Sequence, residues 1–249
     1  MKIEPLKILL DRDFKVDKKF YFISGNETGF MEKISKIICE KYRNSEEIII
    51  TQINNLNEFV DNIGLFEDKK ILLGKNCKEI NEESLKKVRE VNGVFVFLQE
   101  NSQKIKKIKN IFLKDKELCL VDCYELDKNS KKLILNDFLK NNDISLEENI
   151  YWYLIDKLDN KFVFLEDNLN KILELDQKDI NLNNIKKVLT VDGYGKEKLF
   201  FNIFKKNEEI VTAYNSKIIT SADVNELYYY CKLYCQLIIE SDSELEYNK

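Results

Sequence analysis

The sequence predicts an α/β fold, a parallel β-sheet covered by helices on both faces, followed by a run of helices alone. Three observations carry this. Short runs rich in Ile, Val, Leu and Phe are almost continuously apolar, as strands buried on two faces must be. Between them lie stretches whose apolar residues recur at helical spacing. After Glu125 the strand-like runs stop and only helical patterns remain.

Taken in order, strands are expected at 20–24, 47–52, 70–74, 94–99 and 118–123. Helices are expected between them at 28–42, 56–63, 82–90 and 105–113. In the first helix Phe30, Ile34, Ile37 and Ile38 share one face, with Lys41 at its edge. Further helices follow at 127–139, 147–158, 161–173, 181–189 and 196–204, several opened by the Asp or Asn residues that cap helix N-termini. Val191-Asp192-Gly193-Tyr194-Gly195 holds two of the seven glycines and reads as a linker, and a long helix is expected over 221–239. The division is therefore 1–124 for the α/β domain, 125–192 for a small helical domain and 193–249 for a last helical region.

The 249 residues can bury a substantial core, with 44% hydrophobic and 34% charged side chains. No apolar run approaches the ~18 residues of a membrane span. The acidic, weakly apolar start, Met1-Lys2-Ile3-Glu4-Pro5, argues against a signal peptide, so the expected compartment is the cytoplasm. A formal net charge of −4 argues against strong DNA binding by this chain alone, since such binding rests on clustered cations. The lysines at 104–109 and 131–132 read as solvated helix faces.

The most telling motif is the first strand-to-helix turn. Gly25-Asn26-Glu27-Thr28-Gly29 stands where many α/β ATPases carry a phosphate loop, Gly-x4-Gly-Lys-Ser/Thr. That loop cradles phosphates with backbone N–H groups, reaches them with Lys and holds magnesium with the hydroxyl. Here Gly25 and Gly29 are one residue too close, and Phe30-Met31 replace the Lys-Ser/Thr pair. The loop is degenerate, and no nucleotide cofactor is expected.

A working nucleotide enzyme would also need an acid for magnesium at a central strand end. Leu73-Gly74-Lys75-Asn76 offers none, Glu100 lies just past its strand, and Asp122 reads as an exposed strand-end carboxylate. With no histidine in the chain, Ser, Cys or Thr nucleophiles lack their usual base. No catalytic residue is assigned. Of the six cysteines, Cys119 and Cys123 share one face of a strand, and Cys231 and Cys235 stand one helical turn apart. Without His or Cys-x2-Cys spacing no metal site is expected, and reduced, mostly buried thiols are.

Three stretches carry a family resemblance: Phe20-Tyr21-Phe22-Ile23-Ser24-Gly25-Asn26-Glu27, Gly64-Leu65-Phe66-Glu67-Asp68-Lys69-Lys70-Ile71-Leu72-Leu73, and 160–172, from Asn160-Lys161-Phe162 to Asn170-Lys171-Ile172. In this order the chain resembles the delta subunit of bacterial DNA polymerase III, a clamp-loader subunit of the AAA+ class that lacks the phosphate loop. The resemblance implies an AAA+ (RecA-like) parallel-sheet domain, then a helical lid, then a partial helical collar. It implies that Leu65 and Phe66 plug a hydrophobic pocket on the DNA sliding clamp. It also implies work without ATP hydrolysis by this chain, which would act inside a holoenzyme with the other loader subunits and meet primed DNA only through the complex. The rival readings are a silent AAA+-like scaffold or adaptor, and a divergent nucleotide-binding enzyme.

Overall fold

A computed structural model of the chain describes residues 1–44, 46–57, 69–101 and 105–189, together with Val224, Tyr228, Tyr229, Cys231, Lys232 and Cys235. The chain divides into two compact units, Met1–Thr190 and Val191–Lys249. In the first unit, six parallel strands form one sheet: β1 (Lys2–Ile3), β2 (Phe20–Gly25), β3 (Ile49–Gln52), β4 (Lys70–Lys75), β5 (Gly93–Glu100) and β6 (Leu118–Cys123). Their spatial order is β1-β6-β2-β5-β4-β3. The five expected strands are present within a residue or two at each end. The sixth, β1, is two residues long and pairs Lys2 and Ile3 with Leu120 and Val121.

The helices are α1 (Pro5–Leu10), α2 (Thr28–Arg43), α3 (Glu82–Lys87), α4 (Ile105–Lys114), α5 (Lys128–Asn141), α6 (Glu148–Lys157), α7 (Phe162–Leu173) and α8 (Leu182–Val188). Their ends follow capping chemistry. Asn81 and Ser84 form a reciprocal capping box at α3, the Asp127 carboxylate accepts from Ser130 N at 2.7 Å, and the Asn181 side chain accepts from two α8 amides. Asn44 ends α2 in the left-handed conformation, φ 45°. The expected helix 196–204 and most of 56–63 and 221–239 lie outside the described residues; within 221–239, Val224, Tyr228, Tyr229, Cys231, Lys232 and Cys235 are helical, as expected.

The period-two rule divides β2 between two cores. Phe20 and Phe22 face α3 and α4, with Phe20 stacked on Phe95 at 5.0 Å and Phe22 against Phe112 at 5.2 Å. Tyr21 and Ile23 face α1 and α2, and this second core runs on without interruption through α5, α6, α7 and α8 to Leu189. Each fully buried large side chain contributes about 1.5–3 kcal/mol over its exposed state, so both faces of the sheet are strongly held.

Two lysine readings need correction. Lys106 and Lys107 are exposed as expected, but Lys109 turns to the sheet and pairs with Asp122 at 2.7 Å. Lys131 is buried, and its ammonium donates to Leu158 O at 2.9 Å at the C-terminus of α6. Helix carbonyls left without amide partners make that end attractive to a cation. Its neighbour Lys132 lies 4.8 Å over the Trp152 ring. Lys131→Met is therefore expected to lower stability by about 1–2 kcal/mol, whereas Lys106→Met changes the urea midpoint hardly at all.

Candidate functional site

In open α/β sheets, ligands are met outside the carboxyl ends of the strands, where successive connections leave in opposite directions. Here that point is the end of β2, which lies between β6 and β5. Gly25 is in register with Cys123 on one side and Glu100 on the other. The chain then turns through exposed Asn26 and buried Glu27 into α2.

This turn is closed. The Gly25 carbonyl accepts from Asn101 N at 3.0 Å, and Glu27 N–H donates to Cys123 O at 3.4 Å. A Cβ on Gly25 would stand 1.6 Å from Cys123 O, so only glycine fits. The first turn of α2 offers the amides and positive dipole end that elsewhere hold an anion. Its own chain supplies one: the Glu27 carboxylate accepts from Phe30 N–H, and Glu27 is 1% exposed.

The residues beyond are packed rather than presented. Phe30 and Met31, at the positions of a phosphate-binding Lys and a magnesium-binding hydroxyl, are buried in the core. Phe30 stacks on Phe162 of α7, ring centroids 4.9 Å apart and planes 13° from parallel. Gly29 lies so close to Val163 that a Cβ there would stand 2.1 Å from Val163 Cγ2. One turn further along both helices, Lys33 meets Glu166 at 2.5 Å. The sequence alone singled out Gly25, Gly29, Phe30 and Met31 here; it did not find Glu27 as the cap or α7 as the cover. No local signal marked the cap, since Glu is not among the usual N-cap residues whereas its neighbours Asn26 and Thr28 are.

The strand-end acid also differs from expectation. Asp122 is not an exposed carboxylate: its side chain is 13% exposed and pairs with Lys109 at 2.7 Å and Lys2 at 3.3 Å, while Ser24 Oγ donates to it at 3.1 Å. Burial opposes its ionisation, but Lys109, Ser24 and Lys2 outweigh that and hold the carboxyl below its ordinary value. For Lys109, burial works against the charge, and Asp122 with Tyr124 raises it above its ordinary value. Asp122→Asn is expected to cost about 1.5–3 kcal/mol near neutral pH. A depressed carboxyl contributes fully above its unfolded value of about 3.9 and loses that contribution as pH falls through the folded value. The raised Lys109 contributes below about 10.4 and loses its part as pH rises through its folded value. Wild-type and Asn-variant melting temperatures should therefore differ across that window and converge in acid.

The described cysteines are free. Cys39, Cys77, Cys119 and Cys123 are buried, as expected, and burial raises all four thiols, to about 11 for Cys77 and about 12 for Cys119. Such thiols are poor nucleophiles near neutral pH. Cys235 departs from that pattern in being exposed, and Cys231 is partly so. No cluster of three or more His, Cys, Asp or Glu able to hold a metal occurs among the described residues. Among the same residues no helix is long and apolar enough to cross a membrane. Leu65 and Phe66 lie outside the described residues, between Asn57 and Lys69.

Comparison of the whole chain with solved structures finds the Bacillus subtilis DNA clamp loader delta protein at a TM-score of 0.53 and 12% identity, covering 98% of this chain and 80% of that one. AMPPCP-bound DnaA from Aquifex aeolicus follows at 0.48 and 12% identity, covering 96% and 88%. The Thermotoga maritima RuvB Holliday junction branch migration motor matches at 0.41 and 10% identity, covering 76% and 69%. No protein-family model and no curated protein sequence matches the chain. The fold that the sequence suggested, a parallel sheet followed by helices, is the fold found, and it is similar to that of the Bacillus subtilis protein.

Proposed function

We propose that this chain is a clamp-loader subunit of the delta type, which binds a DNA sliding clamp and favours its open form without hydrolysing ATP. The observation that carries the reading is a fold shared with a clamp loader delta protein over nearly the whole chain, combined with a phosphate position closed by the chain's own side chains. Gly25, Gly29, Phe30 and Met31 then form a structural joint rather than a nucleotide loop. Leu65 and Phe66 are the proposed clamp anchor, with the charged run Glu67-Asp68-Lys69-Lys70 as its rim. The division 1–124, 125–192 and 193–249 corresponds to sheet domain, lid and partial collar. The partners are the clamp and the other loader subunits, with primed DNA met through the complex, in the cytoplasm.

A binder shifts an equilibrium only by its differential affinity for the two states. The chain should therefore bind a monomeric clamp variant more tightly than the closed ring; equal affinity for the two would remove ring opening from its role. Titration calorimetry with magnesium-ATP should give no heat of binding beyond dilution. Saturable, magnesium-dependent binding would favour a nucleotide enzyme instead.

A further inference from the structure

The position that a phosphate would occupy is where the sheet domain meets α7, and three contacts there form a continuous seam along two helices. Gly29 receives Val163, Phe30 stacks on Phe162, and Lys33 pairs with Glu166. Residues 29, 30 and 33 share one face of α2, and 162, 163 and 166 share one face of α7, each set spaced by a helical turn. Behind the seam, one hydrophobic core joins Ile8 and Ile34 to Leu165, Leu169 and Ile185 without a break. Before it, the chain leaving β6 is tied to the start of α7 by Leu126 N–H donating to Asn160 O at 2.7 Å. The first turn of α2 is capped from within by the Glu27 carboxylate, which takes the place an anion would otherwise hold.

We infer that the sheet and the helices α5 to α8 form one mechanical piece, its joint fixed by this seam and unresponsive to nucleotide. A joint that opens and closes with a ligand needs two packings of similar free energy. Here the alternative to the observed packing would expose Phe30, Phe162 and Leu165, which are buried, and leave Lys33 and Glu166 apart. Force applied to the sheet by a partner is then carried to α7 and α8 without loss into a hinge. The inference is independent of the clamp reading, because it concerns only contacts within residues 1–189.

Native-state hydrogen exchange on the full chain, followed against low concentrations of denaturant, tests it. In the wild type, α7 amides should open together with those of β2 and β5, with rates unchanged by magnesium-ATP. Separate opening of α7, about tenfold or more faster than the sheet, would overturn the inference, as would a change in α7 protection on adding nucleotide. In Phe162→Ala, α7 and α8 should exchange roughly a hundredfold faster while β2 and β5 change little. If α7 in that variant still opens only with the sheet, the seam is not what fixes the joint. The milder Glu166→Gln, which keeps the core intact, should give the same selective pattern at a smaller amplitude; uniform rates across sheet and lid would again count against the seam.

Discussion

Gly25→Ala is expected to lose about 4 kcal/mol or more of folding stability, a large part of the ~5–15 kcal/mol that holds a typical domain together. The cause is backbone against methyl. The added Cβ would lie 1.6 Å from Cys123 O and 2.5 Å from its carbonyl carbon, and neither atom belongs to a side chain that could rotate away. Relief requires β2 and β6 to separate at the centre of the sheet, where Tyr21, Phe22 and Ile23 are wholly buried. Gly29→Ala provides the contrast. Its Cβ meets a side chain, Val163, so the cost should be the ~1–3 kcal/mol typical of overpacking. Much of that should return in Gly29→Ala/Val163→Ala, a coupling that a double-mutant cycle in urea would measure. A Gly25→Ala protein with a wild-type urea midpoint would mean that the turn does not close on Cys123.

Most strands were legible because burial on both faces leaves an unmistakable trace, as in Phe20-Tyr21-Phe22-Ile23, where every side chain enters one core or the other. The edge strand β3 has the same Ile-rich look, yet its Ile49 and Ile50 are exposed. The two-residue β1 and six-residue α1 escaped because neither is long enough to display a period, and only their pairing with β6 and packing on α2 define them. The empty chemistry of the turn was visible in Phe30-Met31, since greasy side chains cannot neutralise phosphate. What filled the turn was not. Phe30 and Phe162 are far apart in sequence, and a glycine receiving a valine from a distant helix leaves no local pattern. Lys131 shows the limit of reading charge as solvation: its stem packs inside while its ammonium finds the carbonyl of Leu158. Asp122 and Lys109 looked like separate surface charges because their pairing depends on where α4 lies against β6.

The second large effect belongs to the proposed clamp anchor. Leu65 and Phe66 are adjacent large apolar residues beside a charged run, a composition suited to an interface centre with a polar rim. Burial in a partner's pocket is worth roughly 1.5–3 kcal/mol for each. Leu65→Ala/Phe66→Ala is accordingly expected to weaken clamp binding by about 3–5 kcal/mol, a few hundred-fold or more in Kd. Side chains that serve a partner contribute little to the free chain's own core, so its melting temperature should hardly change. Side chains that serve the core behave in the opposite way, each truncation costing about 2–5 kcal/mol of folding stability.

Surface binding of wild type and Leu65→Ala/Phe66→Ala to an immobilised bacterial sliding clamp, with circular dichroism melting of the same two samples, tests the delta-type role most directly. The proposed role predicts wild-type binding, its loss by roughly a few hundred-fold or more in the double variant, and superimposable melting curves. A double variant that melts early would make these residues core rather than anchor. A wild-type chain that does not bind the clamp, or a stable variant that binds it equally well, would contradict the role itself.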